Sequence, residues 1–229
     1  MSPKQISHVI FDMDGLLLDT ENFYTIVQKR ILAKYNRDFT WELKSKMMGQ
    51  KALAAAQIAV KELQLEGQLT AEDFLRQREE QLDALFPTTQ LLPGAERLVR
   101  HLKQHNIPIC VATSSHSRHF DSKTTLHKQL FSLFDHIVTG DQIVRGKPAP
   151  DAFLTAAGQY KPAPDPQKCL VFEDAPVGMQ AAKAAGMWCV MVPAQELVKL
   201  DGSCTKGADL VLGSLLEFDP TPWGLPPFP

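Results

Sequence analysis

An apolar run that stops on two acids, His8-Val9-Ile10-Phe11-Asp12-Met13-Asp14-Gly15, constrains this chain more than any other segment. A run of this length beside a terminus is consistent with a buried strand, and Gly15 lets the backbone turn at once after the second acid. Carboxylates at the mouth of a core are costly unless a cation or hydrogen bonds compensate them. A metal ion or a catalytic task is the first explanation, and a solvated acidic turn is the plain alternative. A calcium loop is disfavoured, because positions 6 and 12 counted from Asp12 are Leu17 and Phe23 where an EF-hand needs Gly and Glu.

Further apolar runs alternate with helical spacing downstream. Leu92-Pro93-Gly94 opens a helix through His105, with Pro93 suited to its start and Leu98 and Leu102 one helical step apart. Residues 107–112 read as a strand ending at Thr113-Ser114-Ser115, and Ile137-Val138 as another ending at Thr139. A helix follows Pro150. Residues 170–172 form a strand ending at Glu173-Asp174, residues 177–185 a helix, and residues 189–192 a strand. The pattern predicts an α/β fold, a Rossmann-like parallel sheet with helices on both faces. Its ligand crevice is expected at the C-terminal strand ends, where the hydroxyls and acids collect.

Between the first strand and this series lies a stretch with no strand pattern. Helix-favouring composition at 52–65 and 71–85, closed by Phe86-Pro87, predicts an inserted α-helical cap domain over 20–86, leaving 1–19 and 87–229 as the core. The Pro-rich end, 219–229, carries Trp223, Leu225 and Phe228, so docking on the core and a disordered tail both stay open.

Charge and composition narrow the function. In 229 residues, 24 basic against 26 acidic side chains leave a formal charge of -2, with no basic run to follow a phosphate backbone and no apolar stretch long enough for a bilayer. Neither nucleic acid nor a membrane is expected as a partner. The start carries no signal-peptide pattern, which predicts a cytoplasmic protein. Cys110, Cys169, Cys189 and Cys204 form no C-x-x-C pair and read as buried free thiols, not a zinc or disulfide framework. His116 and His119 lack a partner at a zinc-ligand spacing.

The strings FDMDG, VATSS, RGKPAPD and VFEDAPVGMQAAKAAGM occur in that order, and with them the chain resembles the haloacid dehalogenase superfamily of phosphatases along nearly its whole length. The resemblance implies a Mg2+-dependent phosphomonoesterase working through an aspartyl-phosphate. Asp12 would be the nucleophile and Asp14 the general acid and base, while Lys147 would stabilise charge. Thr113 and the Ser114 backbone N–H, together with Lys147, would bind phosphate. Magnesium would be held by the Asp12 carboxylate, the Asp14 backbone carbonyl and Asp174, with Glu173 as an outer partner. An acid role asks for an elevated Asp14 pKa, which like-charge repulsion among crowded acids is expected to supply. Asp151 reads as a turn or support residue.

Within the superfamily, FDMDGLLLDTE, MGQKALAAAQ, HKQLFSLFDHIV, CLVFEDAPVGMQAA and WGLPPFP are similar to the pseudouridine 5'-phosphatase group. That likeness implies pseudouridine 5'-phosphate as the substrate, although residues 60–85 are less characteristic. Gln50 and Lys51 lie on the cap loop that would contact the leaving group; an exposed lysine at a helix start is the alternative for Lys51. The implied partner is a small phosphate ester, taken up by a monomer. Three other readings stay open: a sugar phosphomutase using the same Asp12 and Asp14, a dehalogenase that would need neither magnesium nor Asp14, and a non-catalytic binding protein on the same fold.

Overall fold

The computed structural model describes residues 4–48 and 52–229. Six strands, β1 (His8–Phe11), β2 (Ile109–Ala112), β3 (His136–Val138), β4 (Cys169–Glu173), β5 (Trp188–Met191) and β6 (Leu210–Val211), form one sheet in the order β3-β2-β1-β4-β5-β6. Every pairing is parallel, and β1 sits between β2 and β4 with Val9 opposite both Ile109 and Leu170. Strand order reverses there, so the ends of β1, β2 and β4 flank the topological switch point where such sheets bind ligands.

The two-residue period of a strand divides the core. Val9, Phe11, Val111 and Phe172 face one side, against Leu98 and Leu102 of α5 (Ala95–Gln104). Ile10, Cys110, Ala112 and Val171 face the other, against Phe153 of α8 (Asp151–Gly158) and Ala181 and Ala182 of α9 (Pro176–Ala184). Strands covered on both faces have no polar side to show, which is why they read as continuous apolar runs. The remaining core helices are α6 (Ser117–Lys123), α7 (Lys128–Phe131) and α10 (Gln195–Leu200).

The chain between β1 and α5 folds into α1 (Glu21–Ala33), α2 (Trp41–Met47), α3 (Ala52–Glu62) and α4 (Ala71–Leu85). Thr40 and Thr70 start α2 and α4 by accepting from the N–H groups of Leu43 and Asp73. Val27, Ile31, Ala56, Phe74, Leu82 and Phe86 build a core of their own, separate from the two that sandwich the sheet. The two connections to the sheet domain run side by side, with the Asp19 N–H donating to the Gln90 carbonyl and the Leu92 N–H to the Leu17 carbonyl, both at 2.9 Å.

Several sequence expectations shift. The helix expected from Pro93 begins at Ala95, because Gly94 adopts a φ of +89° and its Cα packs directly on the Leu215–Leu216 backbone, leaving no room for a Cβ. The second strand starts at Ile109, not at residue 107. Both β6 and α10 were missed, since elements of two and six residues are too short to carry a periodicity. The Pro-rich end docks: Trp223 and Leu225 are buried, and the Trp223 carbonyl accepts from the Ile6 N–H at 3.0 Å. All four cysteines are free and buried. Among the described residues, no helix is long and apolar enough to cross a membrane.

Candidate active site

Sheet order brings the ends of β1, β2 and β4 together. β1 delivers Asp12 and Asp14, β2 delivers Thr113 and Ser114, and β4 delivers Glu173 and Asp174. The turn after β1 works only with a residue lacking a side chain at position 15: Gly15 has φ +79°, and a Cβ there would collide with the Asp174 carboxylate. Gly178 does the same on α9, where a Cβ would run into Glu173.

Lys147 arrives from the loop after β3. Its ammonium donates to Asp12 Oδ1 at 2.5 Å and to Glu173 Oε1 at 2.6 Å, with all three side chains nearly inaccessible. The other oxygen of Glu173 accepts from the Asp174 and Ala175 N–H groups at 2.9 and 3.0 Å. Glu173 therefore braces the β4–α9 turn and the lysine at once. α9, which opens just after this turn, has no side-chain cap at its N-terminus. Asp151 pairs with Arg145 at 2.8 Å, as a loop support.

Burial pushes Asp12 up to about 7, with Lys147 pulling down against Glu173 and Asp14. Burial, then the charges of Glu173, Asp12 and Glu21, also raises Asp174 well above the usual carboxylate range. Carboxylate oxygens of Asp12, Glu173 and Asp174 lie within 4.8 Å of one another, against the single ammonium of Lys147. Among the described residues, Asp174 has no basic partner within ion-pair distance. An all-oxygen, electron-rich cluster short of positive charge suits a hard divalent cation such as magnesium. A cleft of about 310 Å³ lined by Gly15, Asp19, Glu21, Asp174 and Gln195 opens on this side.

Asp14 departs from expectation. Its Oδ1 accepts from Lys123 Nζ at 2.6 Å and from the Thr20 hydroxyl at 2.7 Å, and its Oδ2 from the Ser115 hydroxyl at 2.7 Å and Thr113 at 3.3 Å. Burial favours the neutral acid, but Lys123 and these hydroxyls outweigh it and hold Asp14 below its ordinary range. The elevated pKa expected from crowded acids is thus corrected: a second lysine, unseen in the sequence, faces this carboxylate. Thr113 is buried, and its hydroxyl serves Asp14 and the Ser115 N–H; Ser114 is exposed on the loop. The backbone N–H groups of Met13, Asp14 and Ser114 donate to no acceptor among the described residues, leaving three donors near the strand ends for an anion. Gln50 and Lys51 lie outside the described residues.

Sequence reasoning missed Thr20, Ser115 and Lys123. Ser115 stood in the VATSS string already singled out, and Thr20 at the predicted start of the helical block; Lys123 carried no mark beyond its charge. His119, set aside for want of partners, has Glu79 at 3.2 Å and Asp83 at 3.9 Å on α4, and its neighbour Arg118 also pairs with Asp83. These contacts tie α4 to α6 and do not form a metal site.

The model of the haloacid dehalogenase-like hydrolases matches residues 6–186. Over 97% of its length the chain is 58% identical to the (DL)-glycerol-3-phosphatase 2 of Arabidopsis thaliana, covering 93% of that protein. It is 44% identical to a probable pseudouridine-5'-phosphatase of Drosophila melanogaster, covering 98% of this chain and 96% of that one. Among solved structures, a putative β-phosphoglucomutase from Thermotoga maritima superposes with a TM-score of 0.69 at 28% identity, over 93% of this chain and 96% of the other. With the acids, the lysine and the hydroxyl loop collected at the ends of three neighbouring strands, this chain belongs to the haloacid dehalogenase-like hydrolases.

Proposed function

We propose that this hydrolase is a Mg2+-dependent phosphomonoesterase that carries the phosphoryl group on Asp12 and takes a small polyol phosphate, glycerol 3-phosphate first among them. The observation that carries the reading is the Asp12 carboxylate, buried and fixed by Lys147 beside an Asp174 that has no basic partner among the described residues. Asp12, the Asp14 backbone carbonyl and Asp174 would hold magnesium, with Glu173 committed to Lys147 and the turn. When bound, the ion neutralises the acid cluster, keeps Asp12 ionised and draws charge from the phosphoryl oxygens.

An Asp12 oxygen forms a bond to phosphorus as the ester P–O bond breaks, giving an aspartyl-phosphate and an alkoxide. Asp14, held ionised in the free site, takes up a proton as the negative charge of the phosphate ester arrives beside it, gives that proton to the alkoxide, then accepts one from the water that attacks the aspartyl-phosphate and returns inorganic phosphate. Lys147 restrains Asp12 and offsets charge on the transferring group, while the N–H groups of Met13, Asp14 and Ser114 donate to its oxygens. Phosphoryl transfer asks mainly for such positioning and charge. Residues 20–86 act as a cap that screens the site from bulk water.

The identity with the glycerol-3-phosphatases supports glycerol 3-phosphate. The Drosophila relative supports pseudouridine 5'-phosphate as the second reading. Phosphate release from these two, uridine 5'-phosphate and glucose 1-phosphate, ranked by kcat/KM with magnesium present, tests the assignment. Release no faster than from Asp12→Asn defeats the enzyme reading. Glucose 6-phosphate formed from glucose 1-phosphate replaces hydrolysis by a mutase reaction.

A further inference from the structure

The site has two lysines, and the family resemblance accounts for one. Lys123 ends α6 with a side chain that exposes no surface. Its ammonium donates to Asp14 Oδ1 at 2.6 Å, to the Ser115 hydroxyl at 2.8 Å and to the Tyr24 hydroxyl at 3.4 Å. It also lies 4.5 Å from the centre of the Phe86 ring and 5.4 Å from that of Tyr24. Tyr24 belongs to α1 and Phe86 follows α4, so the walls of this cage come from the inserted helices while its floor comes from the sheet domain.

A buried ammonium is costly unless it is paired and hydrogen-bonded, and every partner here leads to Asp14 or shields it. Asp12 and Asp14 are two residues apart, yet each meets a different lysine from a different element. Without Lys123, Asp14 would keep the hydroxyls of Thr20, Ser115 and Thr113, none of which carries charge.

We propose that Lys123 is a positioning residue for this reaction: it fixes the Asp14 carboxylate for proton exchange with the leaving group and water, and Tyr24 and Phe86 close that pair off from solvent. The inference rests on the phosphatase reading above. It makes the acid/base group dependent on the placement of the inserted helices, since withdrawing them would strip two walls from the ammonium. Closure then sets the orientation of Asp14 as well as excluding water.

The test follows p-nitrophenyl phosphate and glycerol 3-phosphate in the full-length magnesium-loaded protein. Because p-nitrophenolate leaves without a proton, the first-turnover burst of Lys123→Met is expected within about threefold of wild type, while steady-state turnover falls by about 10²-fold. Glycerol 3-phosphate, whose alkoxide needs the proton, loses about 10²-fold already in the first turnover. Lys123→Arg restores most of the rate, and in an Asp14→Asn background Lys123→Met costs less than about a further threefold, the mark of residues acting as one unit. Lys123→Gln, which keeps a donor to Asp14 without the charge, takes the place of Lys123→Met where the latter fails to fold. Wild-type turnover in the variant, an equal loss of burst and steady state, or effects that multiply with Asp14→Asn overturns the inference. A wild-type protein releasing no phosphate from either ester overturns the phosphatase reading itself.

Discussion

Removing the Asp174 carboxylate should stabilise the metal-free protein while abolishing its response to magnesium. Asp12, Glu173 and Asp174 place carboxylate oxygens no more than 4.8 Å apart. At an effective dielectric constant of about 20, each such repulsion is worth about 3 kcal/mol. Asp174 feels two of them, offset in part by Lys147, and partial protonation relieves the rest, so Asp174→Asn should gain about 1–3 kcal/mol, or roughly 2–10 °C in Tm for a chain of this size. The pH dependence follows in sign. Asp12 rises from 3.8 to about 7 and Asp174 also rises, so the fold binds protons that the unfolded chain has released. That contribution is fully present below the ordinary carboxylate pKa and is lost as pH climbs through the raised values, so metal-free wild type should melt higher at about pH 5.5 than at about pH 8, on the two sides of the raised Asp12 value. Asp174→Asn should flatten the slope. Calorimetry in chelator, then across a magnesium titration, reads both effects. Saturating magnesium at about 100 times its Kd adds about 2.7 kcal/mol to wild type and little to the variant. A metal-free Asp174→Asn that melts below wild type, or a wild type indifferent to magnesium, refutes the reasoning.

The docked C-terminal segment should be integral to the fold: Trp223→Ala opens a hole beside Trp188 and Phe218 and should cost about 3–5 kcal/mol in urea unfolding, whereas an unchanged midpoint would mean the segment contributes no packing. Asp135 accepts from the Ile109 N–H at 3.0 Å and from Lys103 at 2.6 Å; against the upward push of burial, these bonds hold its pKa down. Asp135→Asn should cost about 1 kcal/mol near neutrality, discounted for partial exposure, and the deficit should vanish as pH falls through the depressed pKa; a pH-independent difference would refute the electrostatic origin. Burial lifts Cys110 to about 12 and Cys169 to about 11, so an Ellman reagent should label neither until denaturant is added, as peptide mapping would show.

The parts legible in the sequence share a physical cause. β1, β2 and β4 are covered on both faces, so their burial is written as apolar runs, and the acids that follow them stand out against those runs. The inserted helices were legible because α4 keeps its apolar positions on one face and ends at Phe86-Pro87. β6 has one exposed residue in two and leaves no such trace. The charge state of Asp14 was misjudged for a different reason. Reading the acids along the chain places Asp12 as the nearest charge to Asp14, whereas the nearest in space is Lys123, 109 positions away. Local spacing reveals repulsion between neighbours; it cannot reveal the distant countercharge that cancels it. That asymmetry bears on function, because two carboxylates on one strand end can take different roles only if their surroundings differ. Here the difference is made by Lys147 on one side and Lys123 on the other, one lysine from the loop after β3 and one from the end of α6. The division of labour proposed for Asp12 and Asp14 would therefore be a property of the fold's long-range pairing, with the DxD string supplying only the two groups to be divided.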